Sequence, residues 1–269
     1  EVKIETMILH GKAVKSSAKR SLVVFDMPYK TYTNKFTAYK NAKKVIKLTK
    51  CDAIKLEGGA KIAKIVEHLV KKGIPVLGHI GLLPQTSSNF RVIGKSSIER
   101  KRILKDALAI SNSGAFGIII ECVVENLAKK ITRNIPIPTI GIGASKYCDG
   151  QILVTEDMVG LSDFFPKFVR QYAKLNKSIE KCVKKYVKDV KMKRFPFTKN
   201  MLLFMYLIFG ALPLLLISVV SLLLKIIKSI HIERVGNANE STTELVIALP
   251  KTSERRGVGA SLFKRMLKL

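Results

Sequence analysis

Four strand-length apolar runs each end on one ionisable side chain: SLVVFD on Asp26, AIKLE on Glu57 with Lys55 two residues before it, IPVLGH on His79, and GIIIE on Glu121. A helix-period segment separates each run from the next. In an alternating β/α chain the strands lie parallel and their C-terminal ends share one face, so charges at those ends converge. Two carboxylates, a lysine, a histidine and a further carboxylate at one rim make an acid/base and metal-binding constellation. Carboxylate oxygens suit a hard divalent cation, and a further carboxylate can take a proton.

The elements that must position these groups are legible from periodicity and punctuation. A helix over 5–18 leads into a strand at 21–26, a helix over 34–48, a strand at 53–57 and a helix over 60–72. Next come a strand at 75–79, a loop through Gln85 to Lys95, a helix over 97–112, a strand at 116–121 and a helix over 124–133. A strand at 138–142 and a short one near 151–154 follow, then a helical region from Pro166. Gly73-Ile74-Pro75 and Asn134-Ile135-Pro136 read as a helix stop followed by a strand start. Strands apolar on both faces argue for a parallel sheet covered on both sides. These are six strands where a closed (β/α)8 TIM barrel has eight. The sequence therefore predicts an α/β fold over 1–190 that lacks the first two strands of such a barrel.

Composition narrows the class. At 269 residues with 47% apolar content, the chain is long enough for one barrel-sized core and an appendage. The formal charge of +28 invites a nucleic-acid or membrane reading. The lysines, however, are spread over nearly every expected helix, no nucleic-acid motif is present and there is no Trp. The expectation is no specific nucleic-acid partner, only salt-dependent sticking. Cys51, Cys122, Cys148 and Cys182 have no metal-type spacing and suit a reducing, cytoplasmic setting. No signal peptide opens the chain, which starts inside an expected helix without an initiator Met and reads as cut at its N-terminus.

The character changes near Lys191. Residues 191–200 read as a basic linker, 201–224 as an uncharged apolar run, and 225–269 as a basic tail without an assignable role. As a helix, 201–224 would reach roughly 36 Å, against about 30 Å of bilayer hydrocarbon. Pro213 is tolerated in such a helix. Lys184, Lys185, Lys188, Lys191, Lys193, Arg194 and Lys199 outnumber the basic residues just after the run, which places the β/α part in the cytoplasm. Met192 could open a separate reading frame joined to the first. Within the tail, TELVIAL (243–249) is strand-like.

The ordered set DMPY (26–29), KLEGG (55–59), GHIGLLPQ (78–85), IIIECV (118–123), and IPTIGIGA with DGQILV (137–154) resembles the ketopantoate (3-methyl-2-oxobutanoate) hydroxymethyltransferase family. The likeness spans about residues 1–190. It implies a barrel of the phosphoenolpyruvate/pyruvate type that transfers a hydroxymethyl group from 5,10-methylenetetrahydrofolate to α-ketoisovalerate. The product is ketopantoate, on the route to pantothenate and coenzyme A. It also implies Mg²⁺, a homo-oligomer (commonly a decamer) and a cytoplasmic location. By resemblance Asp26 and Glu57 are metal ligands, Asp26 and Lys55 contact the oxo acid, Glu121 is the general base and His79 donates a hydrogen bond in the pocket.

Taken singly, each residue also has a plainer reading. Asp26 could cap a turn, Lys55 and Glu57 could form a structural pair, His79 could be a satisfied core histidine, and Glu121 could cap the following helix. The chain also departs from the family pattern. No Gly-Asp-Ser segment with a further metal-ligand Asp is present, Val123 stands where Pro is usual, and Phe90-Arg91 lacks its preceding Gly-Gly. Two other readings stay open: an enzyme of the same superfamily acting on a different oxo-acid C–C bond, and an inactive membrane-tethered remnant. The apolar run 201–224 predicts that the full chain sediments with membranes and needs detergent for release; recovery in the high-speed supernatant would remove that expectation.

Overall fold

The computed structural model describes residues 2–197 and 245–248. Among these, the larger compact unit comprises residues 2–158, 165–170 and 245–248, and a second comprises 159–164 and 171–197. In the larger unit, helix α1 (Ile4–Ser17) precedes β1 (Val24–Asp26), α2 (Lys35–Thr49), β2 (Ala53–Glu57), a short 3₁₀ turn (Gly59–Ile62) and α3 (Ala63–Lys71). Then come β3 (Val76–Gly81), α4 (Ser97–Asn112), β4 (Gly117–Glu121), α5 (Glu125–Asn134), β5 (Thr139–Ile142) and β6 (Gly150–Val154), with the short α6 (Thr155–Val159) after it. Helix α7 (Leu175–Lys191) belongs to the second unit, and β7 (Leu245–Ala248) to the first.

Strands β1 to β6 pair in chain order, every neighbour parallel. That order, with a helix returning the chain between each pair of strands from β1 to β5, is a partial barrel wall. The described residues do not form the eight-stranded closed barrel of the family. Instead β7 lies antiparallel along β6, with Val154 opposite Leu245. The described part of the strand-like TELVIAL segment, Leu245–Ala248, is thus a strand. The expected membrane helix, residues 198–200 of the expected linker and all of the 225–269 tail except 245–248 lie outside the described residues. No helix among the described residues is long and apolar enough to cross a membrane.

Two apolar layers hold the sheet. On one face Ile54, Leu56, Val76, Ile80, Ile118 and Ile120 pack against helix residues spaced by three and four, such as Ala38, Ala42 and Val45 of α2 and Ile103, Ala107 and Ile110 of α4. On the other, Ala53, Leu77, Ile119, Ile140, Ile142 and Ile152 form a smaller cluster below the charged strand ends. Helix starts follow side-chain capping. Asn34 accepts from the Phe36 and Thr37 amides at 3.0 and 2.9 Å, and Ser96 from the Glu99 amide at 3.2 Å. Glu99 returns the favour to Gly94 and Lys95, fastening the end of the loop between β3 and α4.

Most boundaries fall within two or three residues of expectation. β1 is shorter than 21–26 because Leu22 and Val23 enter before the ladder begins, Val23 donating instead to the Asp52 carboxylate at 2.9 Å. The helical region expected from Pro166 starts only at Leu175, while α6, unforeseen, turns directly out of β6. Gly78 shows how tightly sheet and helix meet: a Cβ there would lie 2.3 Å from Ile110 Cγ2 of α4. Gly78→Ala is expected to destabilise the protein by about 1–3 kcal/mol, read as a lower denaturant midpoint. An unchanged midpoint would mean that α4 yields more easily than its packing implies.

Candidate active site

Ladder register explains how residues far apart in the chain reach one spot. Asp26 lies beside Lys55, Glu57 beside His79, and Glu121 beside Gly81. Side chains alternate faces with a period of two. From these registers Asp26, Lys55, Glu57, His79 and Glu121 all fall on the same face, climbing one step at a time from β1 to β4. The site is a diagonal across four strand ends, above the smaller apolar cluster.

The side chains touch in a chain. Lys55 Nζ is 2.5 Å from Asp26 Oδ2 and 3.2 Å from Glu57 Oε1. His79 Nδ1 stands 3.5 Å from Glu57 Oε1, and its Nε2 is 3.2 Å from Glu121 Oε2. Lys55, Glu57 and His79 are buried, with only 5%, 7% and 2% of their surface exposed. Burial works against the Lys55 ammonium, but Asp26 and Glu57 outweigh it and hold its pKa above the ordinary lysine value. Lys55 is therefore a fixed cation. His79 Nε2 also lies 2.9 Å from the Leu82 carbonyl oxygen, which can only accept, so Nε2 carries the proton and donates it to Leu82, with Glu121 Oε2 close beside it.

The plainer readings of Asp26 and Glu121 do not hold. Asp26 Oδ2 meets Lys55 while Oδ1 is buried without a hydrogen-bond partner, so neither oxygen caps a turn. Helix α5 has no side-chain cap, so Glu121 is not spent there. Backbone bonds hold Glu121 in place: its carbonyl accepts from Leu82 N at 2.9 Å, and Cys122 N donates to Ile142 O at 2.9 Å. This close approach requires Gly81, at φ +97°, where a Cβ would sit 2.3 Å from the Glu121 oxygen. Burial, and then the Glu121 charge, push the Cys122 thiol up to about 11, which argues against a thiolate nucleophile beside the base.

Sequence reasoning missed a supporting layer. Gln85 donates its backbone N–H to Glu57 Oε2 at 3.2 Å and its side-chain amide to the Met27 carbonyl at 3.0 Å. The Tyr32 hydroxyl donates to Gln85 Oε1 at 2.6 Å. The one signal was the place of Gln85 at the end of GHIGLLPQ, six residues beyond His79.

The donor set fits a hard cation. The cluster sets three carboxylates against a single ammonium, which only Asp26 and Glu57 contact, and one buried Asp26 oxygen has no hydrogen-bond partner. Among the described residues no three His, Cys, Asp or Glu side chains form a ready-made metal cage. Magnesium does not need one, since it commonly takes one or two carboxylates and completes its shell with water and substrate oxygens. Asp26 and Glu57 would be those two.

Parallel β/α repeats with an acid/base cluster at the strand C-termini define an α/β protein built like an enzyme of the barrel class. Residues 1–198 match the sequence profile of ketopantoate hydroxymethyltransferase, and the chain belongs to that family. It is 48% identical to the 3-methyl-2-oxobutanoate hydroxymethyltransferase of Pelagibacter ubique (strain HTCC1062) over 74% of this chain and 78% of that protein. It is 50% identical to the protein of the same name from Hyphomonas neptunium (strain ATCC 15444), over 73% of each chain. Likeness to solved structures is slight. A deoxyribose phosphate aldolase from Aeropyrum pernix superposes with a TM-score of 0.34 at 12% identity, covering 53% of this chain and 60% of that one, and says nothing about the site.

Removing the central cation leaves two carboxylates facing each other without compensation. Lys55→Met is expected to cost about 3–5 kcal/mol of stability, measured by denaturant unfolding. The folded-state pKa of Lys55 is raised, so its contribution is complete below the unfolded value of about 10.4 and lost as pH rises through the folded one. The parent protein should therefore lose stability above that pH more steeply than Lys55→Met does; parallel curves would remove the lysine from this role.

Proposed function

We propose that this chain transfers a hydroxymethyl group from 5,10-methylenetetrahydrofolate to 3-methyl-2-oxobutanoate, forming ketopantoate for pantothenate synthesis. The observation that carries the reading is the fixed Lys55 ammonium beside Asp26 and Glu57, with a third carboxylate, Glu121, across His79. The family assignment supports the substrate pair. Four unpaired cysteines suit the reducing cytoplasm in which such substrates occur.

Each residue has a task set by its chemistry. Lys55, permanently charged, attracts the carboxylate and oxo oxygens of the 2-oxo acid. Asp26 and Glu57 hold Lys55 upright and present oxygens to a divalent cation, Mg²⁺ by family likeness. That cation, when bound, polarises the oxo group and makes the adjacent C–H more acidic. Glu121 takes the C3 proton, and the enolate carbon bonds to the folate methylene carbon as one of its C–N bonds breaks. Water then displaces the second nitrogen, leaving a hydroxymethyl group on C3 and free tetrahydrofolate. His79 Nε2, fixed by the Leu82 carbonyl and 3.2 Å from Glu121 Oε2, keeps Glu121 turned toward the pocket before the proton moves. A role for His79 in direct contact with substrate is part of the same proposal, although its burial leaves little surface for it.

The test separates proton removal from transfer. With Mg²⁺ in D₂O and no folate, the protein should exchange the C3 hydrogen of 3-methyl-2-oxobutanoate, seen by NMR. Glu121→Gln should slow both exchange and ketopantoate formation by about 10²- to 10⁴-fold while leaving the unfolding midpoint near that of the parent. Exchange at the parental rate in Glu121→Gln would take the base role away from Glu121.

A further inference from the structure

We propose that Gln85 is a positioning residue: clasped by Tyr32, it ties the loop after β1 to the loop after β3 and so sets how Asp26 and Glu57 face a bound cation. The inference rests on the reading that these two carboxylates hold a divalent ion.

Three polar connections of Gln85 converge on the metal side of the site. Its backbone N–H meets Glu57 Oε2 at 3.2 Å, the oxygen not engaged by Lys55 or His79. Its side-chain NH₂ meets Met27 O at 3.0 Å, and its Oε1 takes the Tyr32 proton at 2.6 Å. The Met27 carbonyl can only accept, so the amide has one workable orientation and Tyr32 must donate. Met27 directly follows Asp26, its side chain is fully buried, and its own N–H donates to Lys55 O at 3.1 Å. The residue after Asp26 is thus held from both sides: by Lys55 through its N–H and by Gln85 through its C=O. Asp26 is left with little backbone freedom, and its Oδ1, buried without a hydrogen-bond partner, is available to an ion.

Tyr32 is itself buried, and burial above all pushes its phenol well above the ordinary tyrosine value, so it remains a donor at every physiological pH. The clasp needs an amide. A carboxylate at position 85 would accept from Tyr32 but could not donate to Met27, and a methionine of similar length would do neither.

The probe is Mn²⁺ added to the full chain, with free ion followed by electron paramagnetic resonance. Gln85→Met and Gln85→Glu should each weaken Mn²⁺ binding by about 10- to 100-fold, the usual cost of losing an outer-shell partner. Tyr32→Phe should weaken it by about 10-fold on the same ground. Because both variants open one clasp, Gln85→Met with Tyr32→Phe should bind no worse than Gln85→Met alone. Parental affinity in Tyr32→Phe and Gln85→Met, or strictly additive losses, would overturn the clasp. Should Gln85→Met fail to fold, as judged by its unfolding transition, Tyr32→Phe and Gln85→Glu decide. Asp26→Asn separates the two levels: if parental Mn²⁺ binding is absent or insensitive to Asp26→Asn, the cation reading beneath the clasp falls. If Asp26→Asn abolishes binding while the clasp variants do not weaken it, only the role of Gln85 falls.

Discussion

The Lys55 ammonium is drawn out of water into contact with Asp26 and Glu57, and the surrounding architecture makes that burial tolerable. Stripping water from an ion costs several kcal/mol even after relaxation, and the attraction to one partner seldom offsets it. Here two carboxylates share the ammonium, and the Glu57 oxygen turned away from it accepts from the Gln85 N–H. The result is an electrostatic floor that cannot easily rearrange. Substrate and cation then meet charges already in place, so little reorganisation is needed at the moment of reaction.

The diagonal layout follows from parallel pairing. Each ladder sets neighbouring residues level, yet the charged residue moves one face-repeat further along the strand from β2 to β4. The carboxylates therefore do not stack in a row of like charges. Lys55 separates Asp26 from Glu57, and His79 separates Glu57 from Glu121. The same geometry forces backbone closeness at the top of β3 and β4, where Gly81 leaves room for the Glu121 carbonyl. Beside and below the charges, Leu77, Ile119, Ile140 and Ile142 form a buried apolar cluster on the same sheet face.

Much of the wall was legible because its signals are local. The runs ending on Asp26, Glu57, His79 and Glu121 are strands because they are short, branched and apolar, and Gly73-Ile74-Pro75 marks where β3 begins. The start of α7 was misplaced from Pro166 to Leu175 since the basic, weakly patterned stretch between carries no capping residue. TELVIAL was readable as a strand, but its antiparallel place beside β6 depends on a partner almost a hundred residues away. Tyr32 and Gln85 were passed over for the same reason. Their bond joins positions 53 apart, and neither residue looks unusual in its own segment.

By itself the sequence determined which side chains stand at strand ends and on which side of each strand they point, because alternation and element length are written in neighbouring residues. It also carried the family likeness, through the order of its motifs. Only the tertiary structure decided that Lys55 bridges Asp26 to Glu57, that His79 bonds Leu82 with Glu121 close by, and that Gln85 joins the two loops. Those outcomes turn on ladder register and loop approach to within a fraction of an ångström. Such distances are set by the packing of helices and strands from the whole unit and not by any segment alone.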